Sequence, residues 1–244
     1  MTVDSAALEA ARATMLELFP EGFEEADRGE SIELSAYTHA AGEARVRAAF
    51  GVVSARAVPA DWEDRWQRFH RPVVAGGVWI VPPWEQPPGS PAVTIDPGRA
   101  FGTGAHPTTR LCLELLSELE PASLLDVGCG SGVLAIAAAR LGFSPVLAID
   151  CDVEAVEAAV RNAAANSVSV DCRRADASSE PLPPARVAVV NISEAAVAQI
   201  GPRLRCAILV TSGYFEPHVP ELPGFRRAAR RTLEGWAADL HDRE

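Results

Sequence analysis

Residues 126–132 read Asp-Val-Gly-Cys-Gly-Ser-Gly, and this stretch decides the fold. It follows an apolar segment of strand character and precedes a helix-forming run, so it is predicted to form a strand-to-helix turn. Glycines at such a turn let the backbone bend tightly and let a ligand lie against it without meeting a Cβ atom. Val133 stands where the dinucleotide fingerprint has its third glycine, which disfavours NAD without excluding it.

Strands and helices alternate on the C-terminal side of this turn. We predict strands at 123–127, 146–149, 168–172, 187–191 and 207–211, and helices at 132–141, 153–165 and 194–204. Residues 225–233 and 236–242 are predicted to form an antiparallel hairpin around the turn Glu234-Gly235. The expected fold is therefore α/β, with a mostly parallel, seven-stranded sheet that ends in an antiparallel hairpin.

The N-terminal side has a different organisation. Residues 1–58 combine helical patterns at 5–19 and 42–50 with strand-like segments at 22–26, 31–37 and 52–58, which predicts a small α+β domain. Trp62, Trp66 and Phe69 share one helix face, so residues 59–75 are predicted to be a helical linker, with these aromatics as packing residues rather than a ligand cage. The proline-rich residues 82–98 are predicted to be a loop leading into the second domain, residues 76–244.

Two acidic residues follow predicted strands of the second domain. Asp150 ends its strand 22 residues after Gly128, where a carboxylate can accept both hydroxyls of a ribose. The alternative is an N-cap for the helix that begins at Val153, a position that Asp152 can fill instead. Asp126 is expected to bind amides of the turn and to hold the loop open for a ligand.

Composition limits the partners. The 244 residues carry 33 acidic and 22 basic side chains, a formal net charge of −11, and every basic residue is Arg. Lysine Schiff-base chemistry is therefore excluded, and nucleic acid is a poor candidate partner because an acidic surface repels phosphates. The charge favours a basic protein or an amine as partner, and simple solubility is the alternative explanation.

The five cysteines are scattered singly, so we expect neither a metal site nor a disulfide framework. No segment has the length and apolar character of a transmembrane helix, and the N-terminus lacks the features of a signal peptide. The sequence therefore predicts a cytoplasmic protein without membrane contact, and we expect a monomer.

Residues 95–109 read Ile-Asp-Pro-Gly-Arg-Ala-Phe-Gly-Thr-Gly-Ala-His-Pro-Thr-Thr, which is too unusual for a generic loop. Together with the glycine-rich turn and with Val190-Asn191-Ile192, this segment closely resembles the bacterial methyltransferases that modify large-subunit ribosomal protein L11. The resemblance covers residues 58–242. It implies a ferredoxin-like substrate-recognition domain, a helical linker and a class I, Rossmann-like catalytic domain that binds S-adenosylmethionine.

The resemblance also implies the reaction and its site. Members of this family trimethylate lysine ε-amines and an N-terminal α-amine of the ribosomal protein. The residues expected to bind S-adenosylmethionine, from the motifs and the resemblance together, are Phe101, Gly102, Thr103, Thr109, Asp126, Gly128, Gly130, Asp150 and Asn191. His106 matches a family motif position and is a candidate for proton handling, with a structural turn residue as the alternative.

Asn191 is the first candidate for catalytic positioning. Methyl transfer from a sulfonium to an amine disperses positive charge, so orientation and desolvation are expected to supply most of the acceleration. At the carboxyl end of its strand, Asn191 has an amide oxygen and a backbone carbonyl that can orient the amine. The alternative is a strand-end Asn that caps the helix beginning at Glu194.

The chain departs from the family pattern in three places. Its first strand is missing or reduced to residues 1–4, which bears on recognition of the ribosomal protein. Ser193-Glu194 follows Asn191-Ile192 where relatives carry a more apolar pair. A short run with Pro217, Pro220 and Pro223 replaces the helix expected between residues 211 and 225.

These departures keep other functions open. The nearest alternative is the same fold methylating another protein or a small molecule. A second alternative is a catalytically silent, S-adenosylmethionine-binding adaptor, which the presence of Asp150 and Asn191 disfavours. A third is a nicotinamide oxidoreductase, which would bind NAD instead.

Overall fold

The computed structural model describes residues 2–3, 8, 11, 14, 15, 18, 24–27, 31–36, 40–51, 53–55, 71–96 and 104–244. The chain divides into two compact units, residues 1–62 and 63–244. The boundary predicted at residue 58 and the helix with Trp62, Trp66 and Phe69 lie outside the described residues, so both stay predictions.

The first unit contains a small antiparallel sheet. Its elements are β1 (Thr2–Val3), β2 (Glu24–Asp27), β3 (Ile32–Ser35) and α1 (Ala40–Phe50), and residues 8, 11, 14, 15 and 18 are helical. The strand order is β1-β3-β2, and Ala11, Met15 and Leu34 are buried together. Strand β1, Thr2–Val3, lies within the predicted segment 1–4. Residues 53–55, within the predicted segment 52–58, are not a strand.

The described part of the second unit begins with a three-stranded sheet that the sequence patterns did not predict. It consists of β4 (Val73–Ala75), β5 (Val78–Val81) and β6 (Ala92–Thr94), in the order β4-β5-β6. Residues 73–75 are thus strand rather than linker helix, and the predicted loop 82–98 contains a strand. Both predictions failed because these strands are only three or four residues long and β6 is flanked by prolines, so period-2 alternation has no room to show.

The main sheet has seven strands. Its elements are α2 (Pro107–Ser117), β7 (Leu124–Val127), α3 (Val133–Arg140), β8 (Val146–Asp150), α4 (Val153–Ala165), β9 (Asp171–Arg174), β10 (Val187–Asn191), α5 (Glu194–Ile200), β11 (Ile208–Phe215), β12 (Phe225–Leu233) and β13 (Trp236–Arg243). The strand order is β12-β13-β11-β10-β7-β8-β9.

This order confirms the predicted architecture and fixes where a ligand can bind. The five strands from β11 to β9 are parallel, whereas β13 pairs antiparallel with both β11 and β12. The chain leaves β7 towards β8 on one side and later returns to β10 on the other. Such a reversal opens a crevice at the carboxyl ends of the two strands.

Several boundaries differ from the predictions. Strand β9 begins at residue 171 rather than 168, and β11 extends to residue 215. Helix α5 ends at Ile200 because Pro202 follows, and residues 201–203 form a 3-10 turn. Helix α2 was not predicted. The hairpin is confirmed, with φ of 53° at Glu234 and 81° at Gly235, as a type I′ turn requires.

Apolar side chains cover both faces of the main sheet. Leu124 faces one hydrophobic cluster and its neighbour Leu125 the other, because successive side chains of a strand point to opposite faces. All four residues of β7 are buried, and residues 133–138 of α3 are buried as well. Burial on both faces is typical of a parallel sheet covered by helices. No helix among the described residues has the length and apolar character needed to cross a membrane.

Candidate functional site

A cavity of about 610 Å³ lies at the carboxyl ends of β7, β8 and β10. Its lining includes His106, Thr109, Gly128, Gly130, Asp150 and Asn191, all of which the sequence predicted as site residues. The volume is within the range of small-molecule sites, roughly 300 to 1,000 Å³. The cavity also occupies the crevice that the reversal of strand order creates, so the fold and the site residues indicate the same place.

The glycine-rich turn shapes one wall of this cavity. Gly128, Gly130 and Gly132 all have positive φ, as the predicted tight turn requires. The amides of Gly128 and Cys129 both donate to the carbonyl of Ile149, at 2.9 and 3.1 Å, and the amide of Gly130 donates to Asp150. Because these amides already have partners, the turn offers shape rather than an anion-binding cradle. That arrangement suits a cationic ligand better than a pyrophosphate.

Asp150 ends strand β8 beside this turn. Its Oδ2 accepts the Gly130 amide at 2.9 Å, and its Oδ1 accepts the Asp152 amide at 3.0 Å. A carboxylate has about four acceptor sites, so lone pairs remain for two ribose hydroxyls. The capping role belongs to Asp152, whose Oδ1 accepts the Glu154 amide at 2.9 Å as N-cap of α4. Asp150 is therefore held in a fixed orientation at the cavity.

We expect Asp150→Ala to weaken binding of S-adenosylmethionine by about 1–3 kcal/mol, roughly 5-fold to 150-fold in Kd, because the ribose loses its acceptors. Calorimetric titration measures this change. Asp152→Ala is the matched control: it removes the helix cap, at a cost of about 1 kcal/mol in stability, and leaves the cavity intact. Equal affinity of the wild type and Asp150→Ala would refute the ribose role.

Asp126 lies beneath the cavity and not in its wall. It is 1% exposed, and its Oδ2 accepts the amide of Ala135, in the first turn of α3, at 3.1 Å. The expectation that it binds turn amides is thus wrong in detail: it ties strand β7 to the helix after the turn. Burial raises the pKa of Asp126 to about 7; the Ala135 hydrogen bond opposes this shift, and the charge of Asp150 adds to it.

This raised pKa gives a pH-dependent stability. Between its ordinary pKa of 3.8 and about 7, Asp126 keeps a proton in the folded state that the unfolded chain releases. Its stabilising contribution is complete below pH 3.8 and is lost as the pH rises to about 7, by about 1.4 kcal/mol per pKa unit. Asp126→Asn keeps an acceptor for Ala135 but does not titrate.

We therefore expect Asp126→Asn to gain stability relative to the wild type as the pH rises from about 5 to about 8. Urea unfolding at both pH values measures the difference, in which other titrating groups cancel because both proteins contain them. Parallel pH profiles for the two proteins would contradict a buried, protonated Asp126.

His106 is the N-cap residue of helix α2, and its side chain accepts a hydrogen bond from an amide in the first turn of that helix. Its Nδ1 lies 2.8 Å from Thr108 Oγ1 and 3.4 Å from the Thr108 amide. Burial lowers the pKa of His106, and the charge of Glu234 opposes this shift. Thr109 follows in the first turn of α2, is 1% exposed and lines the cavity. Phe101, Gly102 and Thr103 lie outside the described residues, and their role stays a prediction.

Asn191 is the last residue of β10 and lines the cavity. Its side-chain amide makes no hydrogen bond to any described residue. Ser193, not Asn191, occupies the N-cap position of α5, and its side chain makes no capping bond. The capping alternative therefore has no support here, and the amide of Asn191 remains available to a ligand.

Sequence reasoning missed several lining residues. Ala175, Asp176, Ala177 and Ser178 line the cavity after β9, as do Ile192, Gly213 and Trp236 on the other side. The first group could have been predicted from its position directly after a parallel strand, because the carboxyl ends of all such strands meet at one edge of the sheet. Asp176 accepts hydrogen bonds from Ser178 and Ser179, which lower its pKa to about 2 and fix this loop.

Two further findings concern reactive groups. Cys129 lines the cavity, but burial raises the pKa of its thiol, so it is a neutral wall residue rather than a nucleophile. Within the part of the chain that the structure describes, no group of three or more His, Cys, Asp or Glu side chains is placed to hold a metal ion.

The seven-stranded order with its antiparallel hairpin, together with a glycine-lined cavity at the strand ends, defines a class I methyltransferase fold. A family model described as ribosomal protein L11 methyltransferase (PrmA) matches residues 14–216. The chain therefore belongs to the ribosomal protein L11 methyltransferase family, as its resemblance to that family predicted.

Individual relatives agree with this assignment. The ribosomal protein L11 methyltransferase of Pseudomonas syringae is 44% identical over 155 residues, which cover 61% of this chain and 53% of that protein. Its counterpart in Legionella pneumophila is 37% identical over 193 residues, covering 72% of this chain and 66% of the other. A crystal structure of a ribosomal protein L11 methylase from Lactobacillus delbrueckii superposes with a TM-score of 0.62 and 27% identity, covering 71% of this chain and 99% of that one.

The matched region spans about half the length of the curated relatives, from 37% in Psychrobacter arcticus to 66% in Legionella pneumophila.

Proposed function

We propose that this protein transfers methyl groups from S-adenosylmethionine to lysine ε-amines, and to the N-terminal α-amine, of large-subunit ribosomal protein L11. The observation that carries the proposal is that Asp150 and Asn191 line the same cavity of about 610 Å³, next to a turn in which the amides of Gly128, Cys129 and Gly130 donate to protein acceptors. Family membership supports the choice of acceptor, and the net charge of −11 suits a basic protein.

The residues present fit this cofactor. Asp150 has spare acceptor sites for the ribose, and the turn offers bare backbone at Gly128, where the amides of Gly128, Cys129 and Gly130 already donate to protein acceptors. S-adenosylmethionine supplies a methyl group on a positively charged sulfur. We assign Asp150 to binding the sugar, Thr109 and Gly130 to the cavity wall, and Asp126 to holding the turn in place from below. The loop with Phe101, Gly102 and Thr103 is proposed to complete the cofactor site.

The acceptor amine requires orientation and loss of a proton, since an unperturbed lysine has a pKa of about 10.4. The side-chain oxygen of Asn191 can accept a hydrogen bond from the amine and direct its lone pair towards the methyl group. The apolar walls around it disfavour the charged form of the amine by desolvation. His106 is retained as a secondary candidate for proton handling, although its Nδ1 contacts Thr108. We propose that the protein acts as a cytoplasmic monomer.

Mass spectrometry tests this function. Purified protein, deuterium-labelled S-adenosylmethionine and recombinant ribosomal protein L11 are expected to give labelled lysines and a labelled N-terminus, located by peptide mapping. Asn191→Ala and an unrelated basic protein serve as controls. Equal labelling of the ribosomal protein and the unrelated basic protein would refute specificity for the ribosomal protein. No labelling of either protein despite bound cofactor would favour a silent adaptor.

A further inference from the structure

Two C-terminal segments that the sequence predicts to depart from the family pattern contact each other near the cavity. Glu194 opens helix α5 directly after Ser193, which lines the cavity. His218 lies in the proline-containing segment that follows β11. Its Nδ1 is 2.5 Å from Oε2 of Glu194, so the pair joins two segments that are 24 residues apart.

A continuous row of side chains connects this pair to the cavity wall. The ring of His218 lies 6.5 Å from that of Phe215, which stacks on Trp236 with a centroid distance of 4.3 Å. Trp236 lines the cavity and meets the ring of His106 edge-on at 4.8 Å. We call this set the acceptor rim; it consists of His106, Glu194, Phe215, His218 and Trp236. The row reaches the cavity wall at Trp236 and His106, and Glu194 at its other end directly follows Ser193, which also lines the cavity.

A buried network holds the acceptor rim in place. Asp239 is fully buried and accepts two hydrogen bonds from the guanidinium of Arg230, both at 2.7 Å. The same guanidinium donates to the carbonyls of Glu216 and His218, at 2.9 and 2.8 Å. The backbone at His218 is therefore anchored to the buried Asp239, while the side chains of His218 and Glu194 meet at the surface, 51% and 38% exposed.

We propose that the acceptor rim recognises the cationic side chain that is methylated, with Glu194 as the specificity-determining residue. This inference rests on the proposed function, since it assumes an amine acceptor. Only Oε2 of Glu194 contacts His218, and Oε1 has no partner among the described residues, so a carboxylate oxygen remains for an incoming ammonium. Phe215 is 53% exposed, and its ring can attract the same cation. It can also attract a methylated ammonium that has lost its hydrogen-bond donors.

A binding experiment tests this without relying on turnover. Two peptides that differ only in carrying trimethyllysine or norleucine are titrated into the protein in the presence of S-adenosylhomocysteine. We expect the wild type to prefer the cationic peptide by about tenfold and Glu194→Gln to lose that preference. Glu221→Gln is the control: it removes an equal charge from the proline-containing segment that carries His218, and it should keep the preference. No preference in the wild type, or an unchanged preference in Glu194→Gln, would overturn the proposal.

Kinetics separate this inference from the proposed function. With a lysine acceptor, Glu194→Gln should raise KM about tenfold and leave kcat within about threefold, because its carboxylate contacts the charged amine as it enters and not the deprotonated amine that reacts beside Asn191. A wild type that prefers the cationic peptide but methylates neither lysine nor α-amine would refute the proposed function and support the acceptor rim. Loss of kcat at unchanged KM would contradict the role given to Glu194.

Discussion

Replacing Asn191 by alanine is expected to lower kcat about a hundredfold or more and to weaken binding of S-adenosylmethionine by a much smaller factor. The side chain lies at the end of β10 in the cavity wall, and its amide is engaged by no described residue. Its oxygen is therefore available to orient an amine, and alanine removes that oxygen without adding bulk. Single-turnover kinetics and calorimetry measure the two quantities separately.

Ser193→Ala is the matched control for this prediction. Ser193 also lines the cavity, two residues further along, and its hydroxyl makes no capping hydrogen bond to α5. We expect it to retain turnover within a few-fold. If Asn191→Ala lost cofactor affinity as strongly as turnover, Asn191 would be a binding residue rather than one that positions the acceptor.

Replacing Gly213 by alanine is expected to cost about 3 kcal/mol or more in the free energy of unfolding. Gly213 lies where the pairing of β11 with β13 shifts register between Ser212 and Tyr214, and its φ is 102°. A Cβ atom there would lie 1.6 Å from the carbonyl oxygen of Ile192. No rotamer change can relieve a clash with backbone, so the end of β10 has to move.

Gly224→Ala is the control for this prediction, because it adds the strain of a positive φ without a clash against backbone. Gly224 has φ of 81°, and the nearest atom to its added Cβ, on Arg243, lies 4.0 Å away. We expect a loss of only about 1–2 kcal/mol. Urea denaturation compares the two variants, and any folded Gly213→Ala should also lose turnover, since Ile192 follows Asn191. Equal losses of stability would contradict the close approach of β10 and β11.

Much of the catalytic domain could be predicted from local patterns. The glycine-rich turn, Asp150 and Asn191 all follow apolar strands, and the carboxyl ends of parallel strands meet at one edge of a sheet. Their positions in the sequence therefore predict that they line one cavity. The resemblance added the identity of the cofactor and the segment from residue 95 to residue 109, part of which lies outside the described residues.

Other features depend on contacts between segments that are distant in sequence. Asn162 and Asn166 look like polar residues on a surface helix, yet both are buried. Asn166 exchanges hydrogen bonds with the backbone of Thr94, and Asn162 donates to the carbonyl of Ser131 in the glycine-rich turn. Single-sequence periodicity cannot identify such partners, which lie from 31 to 72 residues away.

The acceptor rim shows the same limit. Trp236 follows the hairpin turn and Phe215 ends a strand, so each looks like an ordinary edge-strand aromatic. Their stacking depends on the antiparallel pairing of β11 with β13, in which Phe215 is directly opposite Trp236. Glu194 and the prolines after β11 are evident in the sequence, but the contact between Glu194 and His218 could not be predicted from it.

A crystal structure of the protein with S-adenosylhomocysteine tests the central claim most directly. The account predicts ribose hydroxyls within hydrogen-bond distance of the Asp150 carboxylate, and the sulfur facing Asn191. A ligand bound outside the cavity at the ends of β7, β8 and β10, or a sugar without contact to Asp150, would contradict it.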